Sequence, residues 1–266
     1  FGSDGFTVGA NNSVNKSGEP LVSWNWKANG ASVSNTAGSI NSTVSVNTTS
    51  GFSIVQYTGN ASQSQTVGHG LGVAPKLIIF KSSTSADDWS ICCPSVLGVD
   101  GRLTLNTTAA NSIGDNTFWN STAPSSTLFS IGNNPRANAS GQTIIAYCFA
   151  EIPGFSKMGS YEGNGNANGI FQHLGFKPAW VLIKNTTATE AYFLYDNKRG
   201  YNGSMAALFP DEAAADAFAN NIDFLSNGFK IRTAGAILNG NTTKYIYMAF
   251  ASEPLVSTNG NAATAR

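Results

Sequence analysis

The sequence has few charged residues and no excess of either sign. Only 11% of its 266 residues are Asp, Glu, Lys or Arg, and 15 basic residues balance 15 acidic ones. Nucleic acids and anionic membrane surfaces attract proteins mainly through basic patches, which such a chain cannot form extensively. No apolar run approaches the length needed to cross a bilayer. We therefore expect neither nucleic acid binding nor membrane insertion.

Cysteine is also scarce, which bears on disulfides and metal sites. The three cysteines are Cys92, Cys93 and Cys148. They form neither a CxxC pair nor an even-numbered framework, and adjacent cysteines cannot easily bridge each other. The sequence therefore predicts free thiols in apolar positions and no metal site.

The chain does have the apolar content of a globular protein. Hydrophobic residues make up 41% of it, enough for one core or two modest ones. With so few charges, solubility must depend on the abundant Asn, Ser, Thr and Gly. An uncharged polar surface of this kind often accompanies all-β extracellular or virion proteins.

An internal repeat organises the sequence. Residues 69–81 (HGLGVAPKLIIFK) return as residues 173–184 (HLGFKPAWVLIK), and the Gly, Pro and final Lys match at one offset, 175−72 = 178−75 = 184−81 = 103. In each copy a Gly/Pro turn runs into four apolar residues, as expected where a turn opens a buried strand. The repeated residues are His69, Gly72, Pro75 and Lys81 in the first copy and His173, Gly175, Pro178 and Lys184 in the second. Because both copies share these residues, we interpret them as scaffold.

The repeat divides the chain into modules. Residues 51–153 and 154–256 are predicted to be two β-sandwich modules, since a period of that size fits a small domain. Residues 6–26 match the end of each module, so we interpret residues 1–27 as the closing hairpin of a preceding module. We expect residues 28–50 to be a linker with one exposed strand at 42–46, and residues 257–266 to be a tail or linker.

The predicted fold class is all-β. Short alternating segments separated by Gly and Asn turns favour tandem antiparallel β-sandwich modules, jelly-roll or lectin-like. One short helix is predicted at residues 210–218, where a Pro and two acidic residues precede an Ala-rich run.

Several of these motifs together resemble a known family. They are residues 24–29 (WNWKAN), the two Gly/Pro strands, residues 146–151 (AYCFAE) and residues 195–200 (YDNKRG). The chain resembles the tandem repeat domains of virion structural proteins of tailed bacteriophages, of the cyanophage and marine-phage type. The resemblance implies a tail-fibre-like, non-enzymatic protein at the virion surface. It supplies no catalytic residues, and the YDNKRG element has no counterpart in the first module.

No residue pattern indicates catalysis or a cofactor. His69 and His173 each precede a Gly turn at repeated positions, so a ring hydrogen-bonded to nearby backbone is the ordinary interpretation. Nucleophile-elbow, Walker and dinucleotide motifs do not occur. Carboxylates in turns leave a carbohydrate-active enzyme as an alternative, because sequence spacing does not show whether two of them face each other.

Aromatic residues near predicted strand ends are the better candidates for ligand binding. Such rings can stack on a sugar or pack at a protein interface, although they often only close the end of a sandwich. The candidates are Trp89, Trp119, Tyr192, Tyr195 and Tyr201. Trp180 aligns with Leu77 of the first copy and is therefore predicted to lie in the core.

We therefore expect a tail-fibre or receptor-binding segment that mediates host attachment. The alternatives are a capsid decoration or head-fibre protein, a secreted adhesin, and the enzyme considered above. The expected partners are further copies of the chain, with a trimer favoured by analogy with fibres, other virion proteins and a host-surface glycan.

Overall fold

A computed structural model describes residue 2 and residues 5–252 of the chain. Nearly all of its regular structure is antiparallel strand, which confirms the predicted all-β, sandwich-type fold. The predicted tail at 257–266 lies outside the described residues.

The first set of sheets is formed by residues 33–149 and is called the first unit here. A seven-stranded sheet has the order β1-β2-β3-β9-β5-β6-β7, and β4 pairs with β8 in a small second sheet. The strands are β1 (Val33–Asn35), β2 (Ser42–Asn47), β3 (Phe52–Thr58), β4 (Gln65–Gly68), β5 (Leu77–Ser82), β6 (Ser90–Cys92), β7 (Leu103–Thr104), β8 (Leu128–Ile131) and β9 (Thr143–Phe149). Helix α1 (Asn12–Asn15) precedes this unit, and α2 (Pro94–Leu97), α3 (Asn116–Trp119) and α4 (Pro135–Asn138) lie within it.

The second unit, residues 156–250, repeats this plan. A six-stranded sheet has the order β10-β18-β12-β13-β14-β15, and a three-stranded sheet has the order β11-β17-β16. The elements are β10 (Ser156–Glu162), β11 (Phe171–His173), β12 (Trp180–Asn185), β13 (Phe193–Tyr201), β14 (Ser204–Leu208), β15 (Ala217–Ala219), β16 (Ile222–Leu225), β17 (Gly228–Ile231), α5 (Ala236–Asn239) and β18 (Lys244–Phe250). Whether the sequence boundaries at 51–153 and 154–256 mark independent folding units stays a prediction.

The two large sheets pack against each other, so that the small sheets lie on the outside. Alternate residues of β5 show this arrangement: Ile78 and Phe80 face the core of the first unit, and Leu77 faces the second unit. In β12, Val181 faces its own core and Trp180 faces the first unit. We call the apolar layer between the large sheets the shared core.

Burial on both faces explains the apolar runs in the repeat. A strand covered on one face alternates apolar and polar residues, whereas a strand covered on both faces reads as a continuous apolar run. The LIIF run of β5 and the WVLI run of β12 are of the second kind, and both strands lie inside their sheets next to β9 and β18. The predicted buried strands at these two places are confirmed.

A buried asparagine joins the two halves of each unit. Asn138 is fully buried, accepts a hydrogen bond from the Asn60 backbone N–H at 2.8 Å, and donates from Nδ2 to the carbonyls of Gly132 and Ser62. Asn239 does the same in the second unit, where it accepts from the Asn164 N–H at 3.0 Å. Its Nδ2 donates to Thr233 and Asn166. We call this arrangement the asparagine clamp.

The prediction that each module closes with a hairpin of two paired strands is wrong. Strands form at β8 and β9, and at β17 and β18, but the members of each pair lie in different sheets. The short helices α4 and α5 connect them and redirect the chain from the small sheet to the large one. Strand alternation alone did not reveal this crossing, because both layers face the same core.

The predicted helix at residues 210–218 is also wrong. Its Ala-rich run has no apolar face to bury, and an isolated helix of that length is unstable in water. Residues 212–218 are exposed, and Ala217–Ala219 instead adds β15 to the edge of the large sheet by pairing with β14. The acidic residues serve other contacts: Asp211 accepts from the Tyr192 N–H, and Asp216 pairs with Arg199.

The segment before the first unit differs from its prediction as well. The described residues before Val33 contain α1 and no strand, although a hairpin was predicted there. The strand predicted at 42–46 is present as β2, but it is not an exposed strand: it lies between β1 and β3, and Ser42 and Val44 are buried. The supposed linker thus extends the large sheet.

We predict that Asn138→Ala lowers the free energy of unfolding by about 3 kcal/mol, because it leaves buried donors and acceptors unpaired. Denaturant unfolding measures the loss. Asn15→Ala is the matched control: Asn15 holds the equivalent position in α1 but is exposed, so we expect a change below about 0.5 kcal/mol. Equal losses in both variants would contradict this role for the clamp.

Candidate functional site: the surface around Trp89

The structure separates the five candidate aromatic residues into core and surface. Trp119, Tyr192 and Tyr195 are each at most 2% exposed, so these three candidate rings lie inside the protein and do not reach a ligand at the surface. Trp119 packs on Phe80 and donates from Nε1 to the Gly101 carbonyl at 3.0 Å.

Two candidates do reach the surface. Tyr201 lies at the turn between β13 and β14 and is 73% exposed. Trp89 is half-buried just before β6, and its ring stacks on Tyr147 with centroids 6.1 Å apart and planes 19° apart. The stacked pair fixes the orientation of the Trp89 ring, whereas Tyr201 stands alone at a turn.

Polar side chains surround Trp89. The Asn106 side chain accepts from the Trp89 N–H at 3.0 Å and donates to Asp88 at 3.0 Å. Arg136 pairs with the other oxygen of Asp88 at 2.8 Å, and both side chains are about one third exposed. We call Trp89, Asp88, Asn106 and Arg136 the Trp89 surface. A fixed aromatic ring beside a carboxylate, an amide and a guanidinium can stack on a sugar ring and hydrogen-bond its hydroxyls.

The equivalent position in the second unit is closed by the first unit. Tyr192 aligns with Trp89 at the repeat offset, but loops of the two units meet over it: the Glu190 N–H donates to Thr108 and the Asn111 N–H to Thr186. Tyr192 is therefore 1% exposed and faces the shared core. The difference in exposure between Trp89 and Tyr192 is therefore caused by the packing of one unit on the other.

The YDNKRG element of the second unit holds the N-terminal segment. Asp196 is buried, and its carboxylate accepts from the backbone N–H groups of Lys198 and Arg199. The Arg199 side chain bridges Asp196 and Asp216 at 2.7 and 2.6 Å, and its guanidinium lies 5.7 Å from the centre of the Trp24 ring. A cation over an aromatic face is attractive, so this element anchors Trp24.

The repeated Gly and Lys residues build turns, as their scaffold interpretation requires. Gly72 and Gly175 have φ values of 75° and 86°, a region that favours glycine. Lys81 Nζ donates to the carbonyls of Ser85 and Asp87, and Lys184 Nζ donates to two carbonyls of the equivalent loop. Burial lowers the pKa of Lys184 to about 8.

The three thiols are free and buried, as predicted. Burial raises the pKa of Cys93 to about 11 and that of Cys148 to about 12. The pKa of Cys92 is also raised by burial. All three thiols therefore stay protonated at neutral pH, and a protonated, buried thiol is a poor nucleophile.

The structure also has a surface depression that sequence reasoning missed. It measures about 330 Å³ and is lined by residues that include Pro75, Lys76, Pro94, Val99 and Pro124. The prolines come from two loops and the first turn of α2, which lie far apart in the sequence, so no local sequence signal could have identified it. Within residues 5–252, no cluster of three or more His, Cys, Asp or Glu side chains could hold a metal ion. No helix in the described part of the chain is long and apolar enough to span a bilayer.

Comparison with known proteins identifies a family. The model of DUF7483, described as a domain of unknown function, matches residues 1–254. No curated protein matches the chain, and no solved structure matches it.

The two histidines differ in burial, so we expect them to affect the pH dependence of stability differently. His69 is fully buried, its Nδ1 accepts from the Leu71 N–H, and its Nε2 lies 3.2 Å from the Ser125 carbonyl. Burial lowers the pKa of His69, although the contact with Ser125 opposes the shift. The unfolded chain therefore binds more protons than the folded one just below the ordinary pKa of about 6.5, so His69 destabilises the fold as the pH falls below that value.

We expect the free energy of unfolding to fall between about pH 6.5 and pH 5, and His69→Asn to reduce that fall. Urea unfolding across this range measures it. His173 is exposed, so His173→Asn is the matched control and should keep the wild-type pH dependence. Identical pH dependence in all three proteins would contradict the assignment to His69.

Proposed function

The chain belongs to the DUF7483 family, whose function is unknown, and from that starting point we propose that it is a structural segment of a tailed-bacteriophage virion surface protein. In this proposal it is a tail-fibre-like, non-enzymatic segment at the virion surface that takes part in host attachment. The resemblance of its repeats to phage virion domains supports the virion assignment.

The observation that carries the structural role is the shared core. Two units joined by a flexible linker rotate freely, whereas a large apolar interface fixes their relative position. Here Phe52, Leu77 and Phe149 of the first unit pack with Trp180, Leu182 and Phe250 of the second. Two units joined in this way keep one relative position, a property that suits a segment of a fibre that transmits force between a virion and a cell.

The Trp89 surface supports the attachment role. It presents one oriented aromatic ring among polar side chains, the combination that recognises sugars, and a host-surface glycan is the ligand that we propose for it. Contacts with other virion proteins and with further copies of the chain are part of the same proposal. The capsid variant, a decoration or head-fibre protein, would use the same stiff units at another place on the particle.

Electron microscopy of purified virions tests the location. A gold-labelled antibody raised against residues 33–250 should bind the particle, and we expect the label at the tail. Label at the head would favour the capsid variant. Particles without label, in preparations where an antibody to the major capsid protein does bind, would contradict the virion assignment.

We predict that Trp89→Ala weakens binding to bacterial surface polysaccharide about tenfold, because a stacking ring contributes about 1 kcal/mol or more. Binding of the purified protein to immobilised polysaccharide from candidate hosts measures this. Phe171→Ala removes another exposed aromatic ring, 44% exposed on β11, and serves as the control. Equal binding by the wild type and Trp89→Ala, with both folded, would remove the Trp89 surface from the proposal.

A further inference from the structure

The N-terminal segment repeats the sequence and the short helix of the second half of a unit, although its described residues form no strand. In both units, this half comprises a strand of the small sheet, a four-residue helix with the clamp asparagine, and the central strand of the large sheet. Residues 6–27 align with residues 129–150 at a constant offset, 129−6 = 149−26 = 123. We call residues 6–28 the N-terminal half-unit.

Two hydrogen bonds of the half-unit reproduce bonds of the first unit. Asn11 accepts from the Ser13 N–H and caps α1, as Asn134 accepts from the Arg136 N–H and caps α4. Asn15 Nδ2 donates to the Gly9 carbonyl at 3.0 Å. This bond is equivalent to the one between Asn138 and Gly132, at 2.9 Å. The chain around α1 therefore folds as it does around α4 of the first unit.

The half-unit is also attached where a unit would be. Trp26 aligns with Phe149 and Phe250 and packs on both rings, at centroid distances of 6.2 and 5.4 Å. The backbone carbonyl of the next residue, Lys27, accepts a hydrogen bond from Asn47 Nδ2 at 3.0 Å. The Trp24 ring lies against the Arg199 guanidinium. One face of the segment is thus already fixed to the shared core.

The opposite face carries apolar residues that water reaches. Leu21 is 56% exposed, whereas the equivalent Ile144 and Tyr245 are fully buried. Val14 is 49% exposed, whereas the equivalent Ala137 is fully buried. These are the positions that face the core of a unit, so the half-unit presents half of such a core.

The complete units show what covers these positions. The strands on either side of β9 are β3 and β5, and those on either side of β18 are β10 and β12. A tyrosine of the first of these strands donates to the helix: Tyr57 to the Ala137 carbonyl and Tyr161 to the Leu238 carbonyl, both at 2.7 Å. The following Gly-Asn loop then donates a backbone N–H to the clamp asparagine.

We propose that the N-terminal half-unit is a docking surface for the opening half of a further unit of this repeat type, supplied by polypeptide outside these 266 residues. That partner brings a strand with Tyr as its penultimate residue, a Gly-Asn loop, and a Gly/Pro turn followed by an apolar strand. Its Tyr hydroxyl donates to the Val14 carbonyl, and its loop N–H donates to the side-chain oxygen of Asn15.

A second copy of the chain does not fit this role. Each copy has two opening halves and three closing halves, and both opening halves are already engaged through Tyr57 and Tyr161. If one copy placed an opening half on the half-unit of another copy, the closing half of its own unit would become uncovered. Exchange between copies therefore covers no additional apolar surface. The inference does not depend on a virion location, since it concerns only how units associate.

The test extends the full chain by one opening half. Residues 51–123 are fused directly to Phe1, which preserves the natural spacing because residue 124 aligns with residue 1 at the offset of 123. Hydrogen exchange is followed at the amides of residues 21–25. We expect exchange to slow by at least about 100-fold relative to the unextended chain, because these amides enter a hydrogen-bonded sheet. Unchanged exchange in the extended chain would overturn the proposal.

Two controls make the result specific. Leu21→Asp should leave the melting temperature of the unextended chain unchanged and abolish the protection in the extended chain, because only there would the charge be buried. Ile144→Asp, at the equivalent position of the first unit, should unfold that unit in both chains. In the unextended chain, residues 21–25 should exchange fast in whatever oligomeric state sedimentation shows. An oligomer that protects these residues would show that a second copy covers the surface and would also overturn the proposal.

Discussion

The structure depends on the apolar contact between the two large sheets. Each large sheet buries one face against its own small sheet and the other face against the partner unit, so the central strands have no polar face. Phe149 of β9 and Phe250 of β18 meet in this layer, with centroids 5.9 Å apart, and Trp180 packs beside them. Residues from both units form one continuous cluster, and the hydrophobic effect therefore fixes the position of one unit relative to the other.

This contact also decides where function can be located. It buries Tyr192 beneath loops of the first unit and leaves its counterpart Trp89 half-exposed beside Asp88, Asn106 and Arg136. The same contact offers a place for Trp26 and thereby attaches the N-terminal half-unit. Equivalent positions of the two copies thus differ in exposure, because the neighbour of each copy is different.

The buried asparagine complements the apolar layers. Polar groups inside a core are tolerated where every donor and acceptor is paired, and such networks define one arrangement of the surrounding chain. Asn138 and Asn239 connect a helix to a distant Gly-Asn loop in each unit and so link the opening half to the closing half. At Asn15 the internal part of the network is present, which is why the half-unit can be recognised.

Sequence alone determined the repeat, the buried strands at residues 77–81 and 180–184, the all-β class and the free thiols, because these follow from local composition and from two copies that can be compared. The aromatic candidates could not be sorted in this way: Trp119 and Trp89 both follow polar loops, and only packing puts one inside. The pairing of β8 with β4, rather than with β9, was likewise invisible, since two strands that face one core have the same alternation in either sheet. The alternation of apolar residues in the sequence indicates that a side chain is buried. Which element covers that side chain depends on contacts between residues that lie far apart in the chain.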